Sequence, residues 1–416
     1  MKKLILITIL FIIELFFYSC KNNEPCNCNP IVIKIGALLP LSGSGASTGE
    51  GMSAGLSVAK EEIDVYLHVL GGDKSLSLVV FDTKTDTTEA LIKLKALYEQ
   101  GIRIVIGPYS SAEVHSIKNF ADRNGILILS PSSVAISLAI AGDNIFRFAP
   151  SDVSQAKALT RYFLDDSIKF VIPLFRDDIW GSDLIKSLYA QYSVYGGIMN
   201  EGERYNPAIK DFSLPLKDLN EQVQTALSLY KQNEISIFLA SFNEGNDILS
   251  LAQNYDKLSL VKWTGSSAFA LNKNLTSTKS NNSAEFALAH NFLCPIFTYD
   301  DEARSIAYEI TKKITEKIKR EPDIYALTSY DALWVAVFTY LATGNDTNIE
   351  ELKKNIMLQA GKYFGATGNT KLNEAGDRIW GNYDFWGIAY IDTSSTYIWK
   401  KYSTYLVNQD KIIKYN

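Results

Sequence analysis

Residues 31–51, IVIKIGALLPLSGSGASTGEG, decide the fold. An apolar run of strand length opens the segment, a loop of Gly and Ser (42–51) follows, and apolar residues with helical spacing continue over 50–70. A strand that passes through a Gly-rich loop into a helix is typical of the start of a βαβ unit. Because the strand is apolar at most positions, we expect it to be buried on both faces in a parallel sheet.

The same alternation continues on both sides of about Pro150. Turn signals such as Gly101 mark the ends of helices, where left-handed caps are expected. The pattern therefore predicts an α/β protein with two similar lobes. The predicted strands are 31–41, 76–81, 102–106, 126–129, 170–175, 235–240 and 260–264, and the predicted helices are 50–70, 88–100, 112–123, 153–164 and 183–195.

The last third of the chain has a different order of predicted helices and strands. Helical spacing predicts helices over 300–320 and 325–342 and a third near 349–359, and a strand-rich tail follows at 385–391, 397–401 and 405–407. We interpret the basic cluster 312–320 as the solvated end of the first of these helices, where cations suit the helix dipole.

The composition excludes several classes of function. The chain has 416 residues, 47% hydrophobic and 21% charged, as expected of two or three globular domains. A net charge of −5 argues against a nucleic-acid partner. His68, His115 and His290 share no metal-ligand spacing, and four Cys are too few for a disulfide framework, so we expect neither metal nor cofactor. Cys294 lies in an apolar stretch and is expected to be a buried hydrophobe.

The N-terminus carries an export signal. Lys2 and Lys3 precede an apolar run that ends at Ser19, which predicts a signal peptide over 1–19. The following Cys20 resembles the lipobox cysteine of bacterial lipoproteins, which implies a lipid anchor, a tether over 20–30 and a cell-envelope location on the periplasmic or outer face. An uncleaved anchor and plain secretion are the alternatives. Cys26 and Cys28 have no assigned role in the tether.

Three Gly/Ser-rich loops, 42–51, 107–112 and 130–133, lie between a predicted strand and a predicted helix. Such loops present N–H groups and hydroxyls at the positive ends of helices. In an open parallel sheet they meet at the carboxyl ends of the strands, where ligands bind. No general base, nucleophile or metal set accompanies them, so the loops predict binding of a carboxylate or other polar group rather than catalysis.

The first loop partly matches two known motifs, a dinucleotide fingerprint and a hydrolase nucleophile motif. Gly43, Gly45 and Gly49 are spaced one residue too widely for a dinucleotide fingerprint. Residues 45–49 also read G-x-S-x-G, which would make Ser47 a hydrolase nucleophile. Ser47 comes six residues after Leu41, too far for the sharp turn of a nucleophile elbow, so a hydrolase is the remote alternative.

Many short stretches in order resemble type I periplasmic binding proteins, in the Leu/Ile/Val-binding branch that serves ABC transporters. The resemblance covers residues 31 to about 393. It is carried by 33–43 with Gly49-Glu50, Asp82-Thr83, 106–108 with Ser110-Ser111, 125–132, Phe146-Arg147, Asp152, Gln155, Trp180-Gly181, 330–332, 364–368 and 373–377.

The resemblance implies two Rossmann-like lobes joined by three crossovers, which close on a ligand by hinge motion. Lobe 1 would comprise 31–149 and 295–385, and lobe 2 would comprise 150–294 and 386–416. The implied function is a monomeric solute-binding lipoprotein that delivers a small polar solute, such as an amino acid or a related carboxylate or amide, to an ABC permease. A ligand-sensing envelope receptor on the same scaffold is the alternative.

The resemblance also implies the site. Ser hydroxyls and backbone donors of lobe 1 would hold the carboxylate of the ligand, and an aromatic side chain of lobe 2 would cover it. The residues at these positions are Ser110, Ser111, Ser132, Val134 and Trp180, with Thr48 and Ser267 at two further contact positions.

Three of these positions depart from amino-acid binders. Val134 stands in place of the usual Thr, and Thr48 in place of an aromatic residue. Ser267 lies in the loop that usually supplies the acid for the α-ammonium group, and a buried ammonium without a charge partner is costly. Whether the ligand is an α-amino acid therefore depends on a replacement acid, for which Glu244 and Asp247 are the candidates.

Overall fold

The computed structural model describes residues 31–71, 74–277, 281–379 and 381–415. The predicted signal peptide, the lipidation site Cys20 and the tether with Cys26 and Cys28 lie outside these residues.

The described residues form strands and helices throughout. The strands are β1 (Ile31–Leu39), β2 (Lys74–Asp82), β3 (Ile104–Ile106), β4 (Leu127–Ser130), β5 (Ile145–Pro150), β6 (Phe170–Arg176), β7 (Ile198–Met199), β8 (Glu203–Tyr205), β9 (Ile235–Ala240), β10 (Lys262–Gly265), β11 (Leu293–Thr298), β12 (Phe364–Gly365), β13 (Gly368–Asn369), β14 (Asp377–Arg378), β15 (Asn382–Ile391), β16 (Thr396–Leu406) and β17 (Lys411–Lys414). The helices are α1 (Ala46–Val69), α2 (Thr87–Glu99), α3 (Ser111–Arg123), α4 (Asp152–Asp165), α5 (Ile179–Val194), α6 (Ser213–Ala226), α7 (Gly245–Ala252), α8 (Asn282–Ala289), α9 (Arg304–Ile318), α10 (Ile324–Thr343) and α11 (Ile349–Lys362).

The strands make two large sheets. The first has the order β14-β5-β4-β3-β1-β2 and is parallel throughout. The second has the order β17-β16-β15-β11-β10-β9-β6-β7, with β8 also paired to β6. Its strands β6 to β11 are parallel, whereas β15, β16 and β17 pair antiparallel. The predicted architecture of two Rossmann-like lobes is confirmed.

The chain crosses between the sheets three times, after β5, after β11 and between β14 and β15. The sequence placed the second and third crossovers at 294/295 and 385/386, within strands. Both strands belong to the second sheet, because Leu293–Thr298 pairs with residues 382–387. We therefore propose lobe 1 as residues 31–150 and 299–381, and lobe 2 as residues 151–298 and 382–415.

Helix α10 lies in the core of lobe 1. It is long and apolar enough to cross a membrane, but 78% of its apolar window is buried inside the protein, as in a core helix. It packs closely on α1, because a Cβ on Gly55 would lie 2.1 Å from the carbonyl oxygen of Ala326. This contact joins the first and last segments of lobe 1.

Gly101 ends helix α2 as the sequence predicts. Its φ is +79°, in the left-handed region, and its N–H donates to the carbonyl oxygen of Tyr98 at 3.0 Å. Glycine adopts this conformation without the steric cost that other residues meet.

The basic cluster 312–320 does more than end a helix. Lys313 forms an ion pair with Glu62 at 2.6 Å, and Lys317 forms one with Glu61 at 2.7 Å, both across to α1. The cluster thus lies at the solvated C-terminal end of α9, as the sequence indicated, and two of its lysines also bond to α1. These pairs are partly exposed, so each contributes little to stability.

Candidate ligand-binding site

A narrow chamber lies between the lobes. Lobe 1 contributes the loops after β3 and β4 and the first turn of α10, and lobe 2 contributes α5 and the loops after β9 and β10. This is the carboxyl edge of the parallel strands, where α/β sheets bind ligands. The chamber is lined by Tyr109, Ser110, Ser111, Ser132, Val134, Trp180, Phe242, Ser267, Ala268 and Tyr325.

The structure therefore brings together six of the positions that the sequence singled out, namely Ser110, Ser111, Ser132, Val134, Trp180 and Ser267. Thr48 is the exception. It is buried in the first turn of α1, outside the chamber lining, and its hydroxyl bonds to the carboxylate of Asp323. Thr48 does not reach the chamber lining, because the first turn of α1 faces the start of α10.

Ser111 organises the donor end of the chamber. Its Oγ accepts hydrogen bonds from the N–H groups of Val134 and Ala135, each at 3.2 Å, and lies 3.0 Å from the Oγ of Ser133. Ser111 is also the first residue of α3, at the positive end of that helix. A hydroxyl, two backbone N–H groups and a helix N-terminus thus converge at one end of the chamber.

The other two serines of this wall are used differently. Ser132 Oγ donates to the carbonyl oxygen of Tyr109 at 2.8 Å. Ser110 caps α3, since its Oγ and N–H both donate to the Glu113 carboxylate, at 2.6 and 2.9 Å. Burial raises the pKa of Glu113, and the hydrogen bonds from Ser110 oppose that shift. The Ser110 hydroxyl therefore serves the capping box rather than a ligand.

Ser111→Ala should lower the free energy of unfolding by about 2 kcal/mol, because it leaves two buried N–H groups without their acceptor. Urea unfolding measures the loss, and faster exchange of the Val134 and Ala135 amide protons would locate it. Ser111→Thr keeps a hydroxyl and serves as the control. Unchanged exchange in Ser111→Ala would contradict the assigned bonds.

Four aromatic rings form the rest of the chamber wall, and the sequence identified one of them, Trp180. The Trp180 and Phe242 ring centroids are 4.9 Å apart, and those of Tyr109 and Phe242 are 5.2 Å apart. Tyr325 closes the set from α10. Tyr109 and Phe242 come just after β3 and β9. Their positions at strand ends could have identified them as site residues, but only polar donors were predicted there.

Ser267 is held in a chain of hydrogen bonds. Its N–H donates to Gln155 Oε1 at 2.7 Å, and Gln155 Nε2 donates to Asp152 Oδ1 at 2.7 Å. The Tyr325 hydroxyl lies 3.4 Å from Ser267 Oγ. This end of the chamber thus offers hydroxyl groups to a ligand.

Neither candidate replacement acid lines the chamber. Glu244 Oε1 accepts from Arg176 Nη1 at 2.5 Å and from the Tyr205 hydroxyl at 3.0 Å. Arg176 also bonds to Asp178 at 2.9 Å, and the guanidinium lies 4.1 Å from the Phe242 ring centre. Asp247 is exposed in the first turn of α7. Glu244 is therefore committed to an ion pair, and Asp247 faces away from the site.

The Gly/Ser loop 42–51 joins the lobes rather than lining the chamber. The Ser44 carbonyl oxygen accepts from the Asn243 N–H at 3.0 Å, and Ser47 Oγ accepts from the Lys273 N–H at 3.0 Å. The Lys273 ammonium also pairs with Glu50 at 2.9 Å. The lobes are in contact across this rim of the cleft.

The contacts of Ser47 and His290 are relevant to the remote hypothesis that Ser47 is a hydrolase nucleophile. The Ser47 hydroxyl accepts a bond from a backbone N–H. His290 stacks on Phe286 in lobe 2 with a 4.0 Å centroid distance, and its ring nitrogens face the carbonyl oxygens of Phe286 and Ser259.

Over the described ranges no cluster of three or more His, Cys, Asp or Glu is placed to hold a metal ion. Cys294 is fully buried, as predicted.

Asp323, the N-cap of α10, predicts a pH dependence of stability. Burial raises its pKa to about 6, against the opposing effects of Arg320 and the Thr48 hydroxyl. The folded state thus holds this proton more tightly than the unfolded state, and stability falls as pH rises from about 4 to 6. Relative to Asp323→Asn, which can still cap the helix, the natural protein should lose about 3 kcal/mol between pH 4 and 7 in urea unfolding. Parallel pH profiles of the two proteins would contradict this.

Two α/β lobes around a cleft, crossed three times by the chain, define the type I periplasmic binding protein fold. The chain belongs to the receptor family ligand binding region, whose sequence profile it matches over residues 52–390. The resemblance seen in the sequence is confirmed.

The chain is similar in sequence to several other proteins. A protein of unassigned function from Methanocaldococcus jannaschii is 30% identical over 374 residues, which cover 86% of this chain and 87% of that protein. The Leu/Ile/Val-binding protein BraC3 of Rhizobium johnstonii is 26% identical over 183 residues, 44% of this chain and 49% of its own.

Solved structures share the fold. The leucine binding protein LivK of Thermotoga maritima superposes with a TM-score of 0.70 at 19% identity and covers 92% of this chain and 99% of its own. An ABC-transporter solute binding protein of R. palustris, solved in complex with benzoate, gives a TM-score of 0.68 at 16% identity and covers 89% and 96% of the two chains.

Proposed function

We propose that the protein is an extracytoplasmic solute-binding protein that captures a small carboxylate-bearing solute between its lobes and delivers it to an ABC permease. The observation that carries this proposal is the chamber between the lobes, with the Ser111 hydroxyl and the start of α3 at one end. Neutral donors at a helix N-terminus suit a carboxylate.

The comparisons support the proposal by analogy. BraC3 is named for binding Leu, Ile and Val, LivK for binding leucine, and the R. palustris protein was solved with benzoate. Each of these ligands carries a carboxylate and a compact apolar body. The lipid anchor at Cys20 belongs to the same proposal, because it would hold the binding protein at the membrane that contains the permease.

A thermal-shift screen of the full chain tests the proposal. Amino acids, amides, short-chain carboxylates and aromatic carboxylates are added one at a time, each at three concentrations. A ligand at one hundred times its Kd should stabilise the folded state by about 2.7 kcal/mol. At least one carboxylate should raise the melting temperature in a concentration-dependent way. No stabilisation by any of them would contradict carboxylate binding.

A further inference from the structure

The side chains that line the chamber carry no charge. Among the described residues that form its wall, four are aromatic, four are serines, and the others are Val134 and Ala268. The nearest charged groups in the lobe-2 loops, Arg176 and Glu244, are paired with each other and lie against the Phe242 ring. The ligand therefore meets hydroxyls, backbone N–H groups and aromatic faces.

The chamber would bind the carboxylate and the ammonium group of an amino acid differently. A carboxylate fits the Ser111 end, where the Ser111 hydroxyl lies at a helix N-terminus. At the Ser267 end, an ammonium would find the hydroxyls of Ser267 and Tyr325. Hydroxyls accept hydrogen bonds from an ammonium but do not neutralise it, and a desolvated charge without a counter-ion is costly.

The acids near this end do not line the chamber. Asp152 lies behind Ser267, where its Oδ1 accepts from Gln155 Nε2 at 2.7 Å, and burial raises the pKa of its carboxyl, which disfavours the charged form. Glu244 is 10% exposed and shares its charge with Arg176 at 2.5 Å. An ammonium that approached Glu244 would also approach the Arg176 guanidinium and be repelled by it. Among the described residues, neither Asp152 nor Glu244 lines the chamber, so its wall offers no carboxylate.

The aromatic residues favour a flat apolar body. The Trp180 and Phe242 rings are tilted by 32° to each other, and Tyr109 adjoins Phe242. Val134 adds an apolar surface beside the donor end. Aromatic rings stack with an offset on such faces and gain more than an aliphatic body of equal area.

We propose that the solute is a monocarboxylate with an aromatic body and no α-ammonium group. The proposal rests on the proposed function, since it names the ligand class for the same chamber. Within it, Ser267 is the position that sets the preference against amino acids.

Matched ligand pairs test this class by calorimetry on the full chain. 3-Phenylpropanoate and L-phenylalanine differ only by the α-ammonium, as do 4-methylpentanoate and L-leucine. We expect 3-phenylpropanoate to bind at least tenfold more tightly than L-phenylalanine, and more tightly than 4-methylpentanoate. Equal or tighter binding of either amino acid would overturn the inference and leave the proposed function intact. Tighter binding of 4-methylpentanoate would overturn the aromatic body, and binding of none of the four would contradict the proposed function as well.

A charge placed at Ser267 tests the reason for the preference. Ser267→Glu should weaken 3-phenylpropanoate and strengthen L-phenylalanine, so that the ratio of their Kd values moves at least tenfold toward the amino acid. Ser267→Gln adds similar bulk without charge, and a shift of the same size in both variants would contradict the electrostatic argument. If Ser267→Glu does not fold, the ligand pairs on the natural chain decide alone.

Discussion

Replacing Arg147 with Met should lower the free energy of unfolding by about 3–5 kcal/mol, since it leaves a buried carboxylate without its partner. The Arg147 side chain is 1% exposed, and Nε and Nη2 bond to the two oxygens of Asp377 at 2.5 and 2.6 Å. Its Nη1 donates to the carbonyl oxygen of Ala135 at 2.5 Å. The pair therefore ties β14, from the second segment of lobe 1, to the loop that carries the chamber donors.

Urea unfolding of the full chain measures this effect. The exposed pair between Arg304 and Asp301, with side chains 71% and 75% exposed, is the matched control, and Arg304→Met should cost less than about 1 kcal/mol. The double variant Arg147→Met with Asp377→Leu removes both charges and should recover part of the loss. Equal losses in the buried and exposed single variants would contradict the structure.

The sequence was most informative where buried strands alternate with amphipathic helices. The predicted strand 235–240 coincides with Ile235–Ala240, and the helix predicted over 112–123 differs from Ser111–Arg123 by one residue. Apolar runs of strand length next to helical spacing are unambiguous when a strand is buried on both faces.

Strand β5 shows why other elements were missed. Ile145–Pro150 contains Arg147, and a charged residue within a short run argues against a buried strand. The charge is tolerated because its partner, Asp377, comes 230 residues later in the chain. In the tail, the predicted strands 397–401 and 405–407 are a single strand, Thr396–Leu406, because polar residues between them still pair with β15.

The residues of the candidate site also differ in whether the sequence could predict their positions. Ser111, Ser132 and Val134 follow strands of one sheet, so local sequence placed them together. Tyr325 reaches the chamber from α10 in the second segment of lobe 1, and no local pattern shows that. The Ser110 cap and the pairing of Glu244 with Arg176 depend on side-chain geometry, which spacing does not contain.

Trp180→Ala should weaken binding of the best carboxylate by about one hundredfold, or about 2–4 kcal/mol, as expected of a central aromatic contact. The Trp180 side chain is 3% exposed and stacks on Phe242, which in turn carries the Arg176 guanidinium on its ring. Removing the indole deletes a wall of the chamber and frees Phe242 to turn, so both the stacking area and the barrier that separates the ligand from the Arg176–Glu244 pair are lost.

Tyr189 is the matched control for Trp180. It lies on the same helix, α5, and is 55% exposed, outside the chamber lining. Tyr189→Ala should leave affinity within about twofold of the natural chain, because surface substitutions away from a site change free energies by less than about 0.5 kcal/mol. Circular dichroism of both variants separates lost affinity from lost folding. Equal affinities of folded Trp180→Ala and Tyr189→Ala would show that the ligand binds elsewhere, since no rearrangement of the other rings replaces the surface that the indole provides.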